Sequence, residues 1–368
     1  MFTLIKRSTL VAFGATLALA TAWPALAQAR EIKSLEDMKA AVRENMPAFL
    51  KEPGEVVGQL LNVPLGPPLS KSFDQKKAID TIFNGGATSI SADCRRRATA
   101  AGEPDQGDCV ISNGREAGKG AYMALNFSKN MGSGNIKFLK RSPVDDNITP
   151  DKLPTAKLSN DVALNQAMDF LKGAFGLSIE EVPTPPQGSK SLLVRNLAVA
   201  GANPTGGPIT PFIVQKVVTL QRGFALKNPY VNPANGQALT HVPGPGKATV
   251  AMDDSGVVGA TITGWQELRK DPAMSANNAK SASALIDEIA EDLFNSGVRQ
   301  FDRMNFQIQV GADWRGTYGI LLPMVQVALA TAPNDLNEDQ QALLAFKSTA
   351  GLIKEYSLVE RGDVGARQ

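Results

Sequence analysis

The stretch Lys247-Ala248-Thr249-Val250-Ala251-Met252-Asp253-Asp254-Ser255-Gly256-Val257-Val258-Gly259-Ala260-Thr261-Ile262-Thr263 sets two runs of strand-forming residues around a four-residue turn. Aspartate side chains bond the backbone two residues on, and glycine accepts positive φ, so 253–256 predicts a tight hairpin. Upstream, residues 191–200 and 212–220 are rich in Val, Leu and Ile and read as further strands. Before them, 161–175 places Val162, Ala163, Ala167, Phe170, Leu171 and Ala174 on one helical face, with Gly176 as the stop. Downstream, Leu285, Ile289 and Leu293 recur at four-residue steps over a helix at 283–295 that ends at Gly297. Strands at 305–310 and 319–329 follow, the second needing an edge or a bulge at Pro323. Asn337 and Gln340 resemble a capping box that opens a last helix through Phe346.

The first half repeats the order of helices, then strands. Leu35, Met38, Ala41, Val42, Met46 and Phe49 give a helical period over 34–50, capped by Ser34 and ended by Pro53-Gly54. A turn-rich link at 64–68 leads to a short helix at 74–83. Strands at 121–127 and 135–139 flank a turn at Gly132-Ser133-Gly134. Helices segregated from hairpins predict an α+β fold, two modules of helices packed on antiparallel sheets, rather than a doubly wound sheet. The expected division is a leader at 1–27, a module at 28–142, a linker at 143–158, a module at 159–352 and a polar tail at 353–368.

Lys6 and Arg7, an apolar run over 9–23 and the small-x-small site Ala25-Leu26-Ala27 have the pattern of a secretory signal peptide cleaved before Gln28. An uncleaved anchor would need a longer apolar core. The expected location is periplasmic or secreted, with no stable membrane span after cleavage. No cysteine of a lipoprotein attachment box stands near the cleavage site. Loss of Lys6 and Arg7 from 38 cationic residues leaves 36, against 36 acidic ones. A neutral chain lacks the basic excess of a nucleic-acid partner, and Arg95-Arg96-Arg97 sits among Asp93, Glu103, Asp105 and Asp108. Cys94 and Cys109 lie in a polar stretch with few hydrophobic anchors. In an exported protein this pair predicts a structural disulfide, contributing about 3 kcal/mol by loop closure. A catalytic redox pair would have C-x-x-C spacing.

Several of these segments together resemble a known family. The helix ending Gly176-Leu177 is followed by Val217-Val218-Thr219-Leu220-Gln221-Arg222 and by Val242-Pro243-Gly244-Pro245-Gly246-Lys247. With the Asp253–Gly256 turn and the strand running to Trp265, residues 161–268 resemble the PepSY-like modules of exported peptidase propeptides and envelope proteins. Leu322-Pro323 in a late strand is similar to a strand of tandem modules. The resemblance implies a binding or regulatory module, and because no recognisable peptidase follows, it does not extend to a self-inhibiting prosegment.

Residues with catalytic patterning are scarce. His241 is the single histidine, which precludes a histidine-based zinc site and reads as a structural or solvated loop residue. No serine stands in G-x-S-x-G or three residues before a lysine. The acid pairs Asp145-Asp146, Glu180-Glu181 and Asp253-Asp254 are the remaining hydrolytic candidates, and the loop at 145–147 offers hard oxygen ligands without EF-hand spacing. No catalytic, cofactor or metal residue is assigned. Trp314, with Arg315 and Tyr318 in a Gly-flanked loop, is the candidate interface, since tryptophan beside arginine often anchors contacts. These features together predict a non-enzymatic binding or regulatory protein whose partner is an envelope or secreted protein or peptide. The alternatives are a carrier of an apolar small molecule and a carboxylate-dependent hydrolase.

Overall fold

The computed structural model describes residues 30–83, 89–90, 108–113, 122–128, 134–141, 154–178, 181–182, 194–199, 212–231, 238–330 and 352–360. Strand β1 (Arg30–Glu31) leads into α1 (Leu35–Asn45), where Ser34 and Asp37 form the reciprocal bonds of a capping box. The expected helix to residue 50 stops five residues early. Pro47 lacks an N–H and drives Met46 into extended backbone, so the chain continues as a short 3-10 turn at Ala48–Lys51. Pro53, expected as a stop, instead opens α2 (Pro53–Leu61), where the first helical N–H needs no partner. Helices α3 (Leu69–Ser72) and α4 (Gln75–Phe83) follow.

Strands β2 (Ser89–Ile90), β3 (Asp108–Ser112), β4 (Tyr122–Ser128) and β5 (Ile136–Arg141) precede α5 (Asn160–Phe175). Then come β6 (Val194–Val199), β7 (Phe212–Val231), β8 (Ala238–Asp253) and β9 (Gly256–Thr263). These eight strands form one antiparallel sheet in the order β2-β3-β4-β5-β9-β8-β7-β6. Along β7 the side chains of Val214, Lys216, Val218 and Leu220 are buried, while Gln215, Val217 and Thr219 are half-buried, the period of two expected of a sheet with one packed face. Ile82 and Phe83 of α4 and Ala163, Leu164, Leu171 and Phe175 of α5 share a core with Leu125, Phe138, Val250 and Ile262 of the sheet.

The remaining strands are β10 (Glu267–Arg269), β11 (Gln300–Phe301), β12 (Arg303–Arg315), β13 (Tyr318–Ala330) and β14 (Leu352–Ser357), with α6 (Ala282–Asn295) between β10 and β11. β13 pairs with β12 along one edge, and with β10 and then β14 along the other. Pro323 sits where β10 ends and β14 has not yet begun. Its carbonyl accepts from Leu358 N–H on that side, so its missing donor also faces this break in the ladder. Helices α1, α2 and α6 supply Val42, Leu60, Leu285 and Leu293 to a core shared with Ile308, Leu321 and Val325. Residues 353–357, expected in a polar tail, are strand, with Tyr356 Oη donating to Asp292 of α6 at 2.8 Å.

The molecule is therefore an α+β protein with two hydrophobic cores. Each core draws on both sides of the 143–158 segment: α1 packs with α6 in one, and β5 pairs with β9 in the other. The expected linker lies partly outside the described residues, but its end is docked, since Thr155 Oγ1 and Lys157 N–H both donate to Asp254 (2.5 and 2.7 Å). The expected helix at 337–346 and the turn residues Gly132 and Ser133 fall outside the described residues. Strand β8 runs through Pro243-Gly244-Pro245-Gly246, which composition reads as loop. Pro243 pairs with Gly223 of β7, and Pro245 falls in the β7–β8 register break. Among the described residues no strand pairs with the other side of this half of β8, so both prolines take edge or bulge positions at which proline is tolerated.

Candidate functional site

Strands β12 and β13 pair without interruption from Arg303–Ala330 to Arg315–Tyr318, and a two-residue loop at Gly316-Thr317 closes the hairpin. Gly316 has φ +68°, as such short hairpin loops demand. The three expected interface residues crowd this tip without forming one cluster. Neighbouring strand residues point to opposite faces, which separates Trp314 from Arg315 and Tyr318. Trp314 lies across Gly319, its cross-strand partner; a Cβ there would stand 2.8 Å from the ring. With 43 % of its surface exposed, the indole is held by backbone on one side and open to solvent on the other.

The opposite face is charged. Arg315 pairs with Asp313 at 2.7 Å, and the Arg269 guanidinium stands 3.9 Å over the Tyr318 ring. Glu267 receives Arg269 Nε and Nη2 at 2.9 and 3.1 Å, and these bonds hold its carboxyl below the usual glutamate range. β10 brings both residues here by pairing parallel to the start of β13. Nothing in the local sequence announced them, because three residues of strand carry no usable period.

Two strand edges add exposed apolar side chains. β6 ends the eight-stranded sheet and exposes 49 % of Leu197, while β14, paired to β13 alone among the described residues, exposes 49 % of Ile353. Unpaired strand edges with outward apolar residues can accept an added strand.

The described members of the acid pairs have structural partners. Asp253 accepts from Ser255 N–H and Oγ and shapes the hairpin turn. The Thr155 hydroxyl, then the Lys157 N–H, hold the Asp254 carboxyl below its ordinary range. Glu181 is buried against Arg222, whereas Glu180, Asp145 and Asp146 lie outside the described residues. Cys109 stands in β3 opposite Phe127, and Cys94 lies outside the described residues. Among the described residues no group of three or more His, Cys, Asp or Glu side chains is placed to hold a metal ion. No described helix is long and apolar enough to cross a membrane.

His241, expected in a loop, is in β8 opposite Ala225, and its Nδ1 lies 2.9 Å from Thr240 Oγ1. Partial burial lowers its pKa from 6.5, so the fold favours neutral imidazole. The unfolded chain then binds the proton more readily, and stability falls as pH drops through the ordinary histidine range towards the lowered folded value. We expect the urea midpoint to decrease from pH 7.5 to 5 and His241→Gln to flatten that slope. Equal slopes for both proteins would contradict this assignment.

No family model, curated protein or solved structure matches the chain.

Proposed function

We propose that this is an exported, non-enzymatic binding protein that engages an envelope or secreted protein or peptide through its hairpin tip and strand edges. The observation that supports the reading best is Trp314, a large apolar side chain presented to solvent from an uninterrupted two-stranded hairpin. Pinned across Gly319, the indole loses little rotamer freedom on contact, which is what makes tryptophan an effective anchor. Arg315, Tyr318 and Arg269 on the reverse face provide polar contacts at the rim of the same tip. Leu197 on β6 and Ile353 on β14, away from the tip, offer separate apolar contacts at strand edges suited to main-chain pairing.

Native mass spectrometry of mature protein recovered gently from an exported fraction tests the proposal. A stoichiometric protein or peptide adduct is expected, and Trp314→Ala should weaken its retention at least about tenfold, with the urea midpoint nearly unchanged. A bare monomer, or an adduct indifferent to Trp314, would end this reading. Extra mass of small-molecule size would favour the carrier instead.

A further inference from the structure

The chain passes between the two cores four times among their buried residues. It crosses from Val63 to Leu69, from Leu220 to Phe224 within β7, from Val242 to Ala248 within β8, and from Trp265 to Leu268. All four crossings meet at one buried ion pair. Glu181 and Arg222 each keep 1 % of their surface exposed. Arg222 Nε donates to Glu181 Oε2 and Nη2 to Oε1, both at 3.0 Å, the two-pronged geometry that fits guanidinium to carboxylate.

The remaining lone pairs of Glu181 reach two of the other crossings. Gly66 N–H, on the 63–69 passage, donates to Oε1 at 2.9 Å. Trp265 Nε1 donates to Oε2 at 3.1 Å. Arg222 also donates Nη1 to the Gln266 carbonyl at 2.7 Å, one residue beyond Trp265. The Glu181 carbonyl accepts from Gly223 N–H at 3.1 Å, and Gln221 Nε2 donates to the Gly244 carbonyl of β8 at 2.6 Å.

The backbone is shaped around this point. The β7–β8 register breaks between Gln221 and Gly223, where Arg222 alone stands opposite three residues of β8, Gly244 to Gly246, an excess that bends the bulged strand around it. Gly246, at φ +113°, would place a Cβ 3.3 Å from both Arg222 Cδ and the Trp265 ring. A Cβ on Gly66 would stand 2.8 Å from Ser178 and 3.2 Å from the Glu181 carboxyl carbon. Both glycines leave room for a polar group where each chain segment changes core.

We infer that the Glu181–Arg222 pair is a conformational coupler: it joins the two cores into one cooperative unit, and its loss frees them to open separately. A buried pair satisfied on all sides is rigid, while either member left alone is a strongly unfavourable buried charge. The arrangement concentrates that requirement where the four passages among the described residues run. A pair that merely stabilised one core would need neither donors from two of the other crossings nor a glycine of the third packed against Arg222.

Hydrogen exchange with mass spectrometry across a urea series, on the full mature chain, tests this. The wild type is expected to lose protection in α5 and in β12–β13 at the same urea concentration. Glu181→Gln keeps the shape and removes the charge, and it should separate the two losses into distinct steps. Trp265→Phe, which removes one donor and leaves the pair intact, should give a smaller separation of the same kind; it carries the test should Glu181→Gln not fold. A common, merely earlier loss across both cores in the folded variants would overturn the inference. Separate steps already present in the wild type would do so too.

Discussion

Gly176→Ala is expected to destabilise the protein by about 2–5 kcal/mol, read as a fall in urea midpoint at an unchanged slope. Two costs combine. Gly176 ends α5 at φ +67°, a left-handed conformation that disfavours any Cβ. The added carbon would also stand 2.1 Å from the Ser72 carbonyl oxygen at the end of α3, so backbone rather than a flexible side chain must give way. Gly173→Ala is the control, three residues earlier in the same helix. A Cβ there meets nothing within 4 Å, and helix propensity predicts a gain of up to about 1 kcal/mol. Opposite signs for two Gly→Ala changes in one helix are the expected result. A loss at Gly176 below that of an ordinary surface substitution would refute the cap geometry.

Phe224→Ala is expected to cost about 3–5 kcal/mol, measured in the same way. The ring has 0 % exposure in the core formed by α1, α2 and α6, and it fills the space left by Gly244, where a Cβ would stand 2.2 Å away. Arg222 lies 5.5 Å from the ring centroid, so the cavity would also remove support from the buried guanidinium. Leu197→Ala, at an edge and half-exposed, should by contrast shift stability by no more than about 0.5 kcal/mol. A Phe224 loss as small as that would mean the far half of β7 does not hold this core together.

Much of the fold could be read locally. Ser34 as a cap, α5 and its glycine stop, the turn at 253–256 and α6 all rest on signals contained within a few residues. Pro47 was equally local, and its effect on Met46 cuts α1 where apolar periodicity alone would carry it on. The unread parts depend on distant residues. Pro243 to Gly246 has the composition of a turn, yet it remains strand because β7 lies alongside and, among the described residues, no strand pairs with the other edge there. Arg222 and Glu181 are separated by 41 positions, and no spacing rule links them. At the hairpin tip, Trp314, Arg315 and Tyr318 look like one constellation by proximity. The alternation of strand side chains already divides them, once β12 is known to run to residue 315.

The pairing of β1 with β11 has a consequence in time. Arg30, at the start of the described chain, finds its partner at Phe301, and Lys39 of α1 meets Asp287 at 2.9 Å. One core is completed only when Leu358 and Val359 arrive, and the other needs Trp265. Contacts so far apart in sequence close late and slowly. During synthesis the N-terminal helices therefore emerge long before α6 and the β12–β13 hairpin, which complete their core. Such a chain acquires the last of its native shape only when its C-terminal strand has been made, so the order of synthesis and the order of packing run in opposite directions at its two ends.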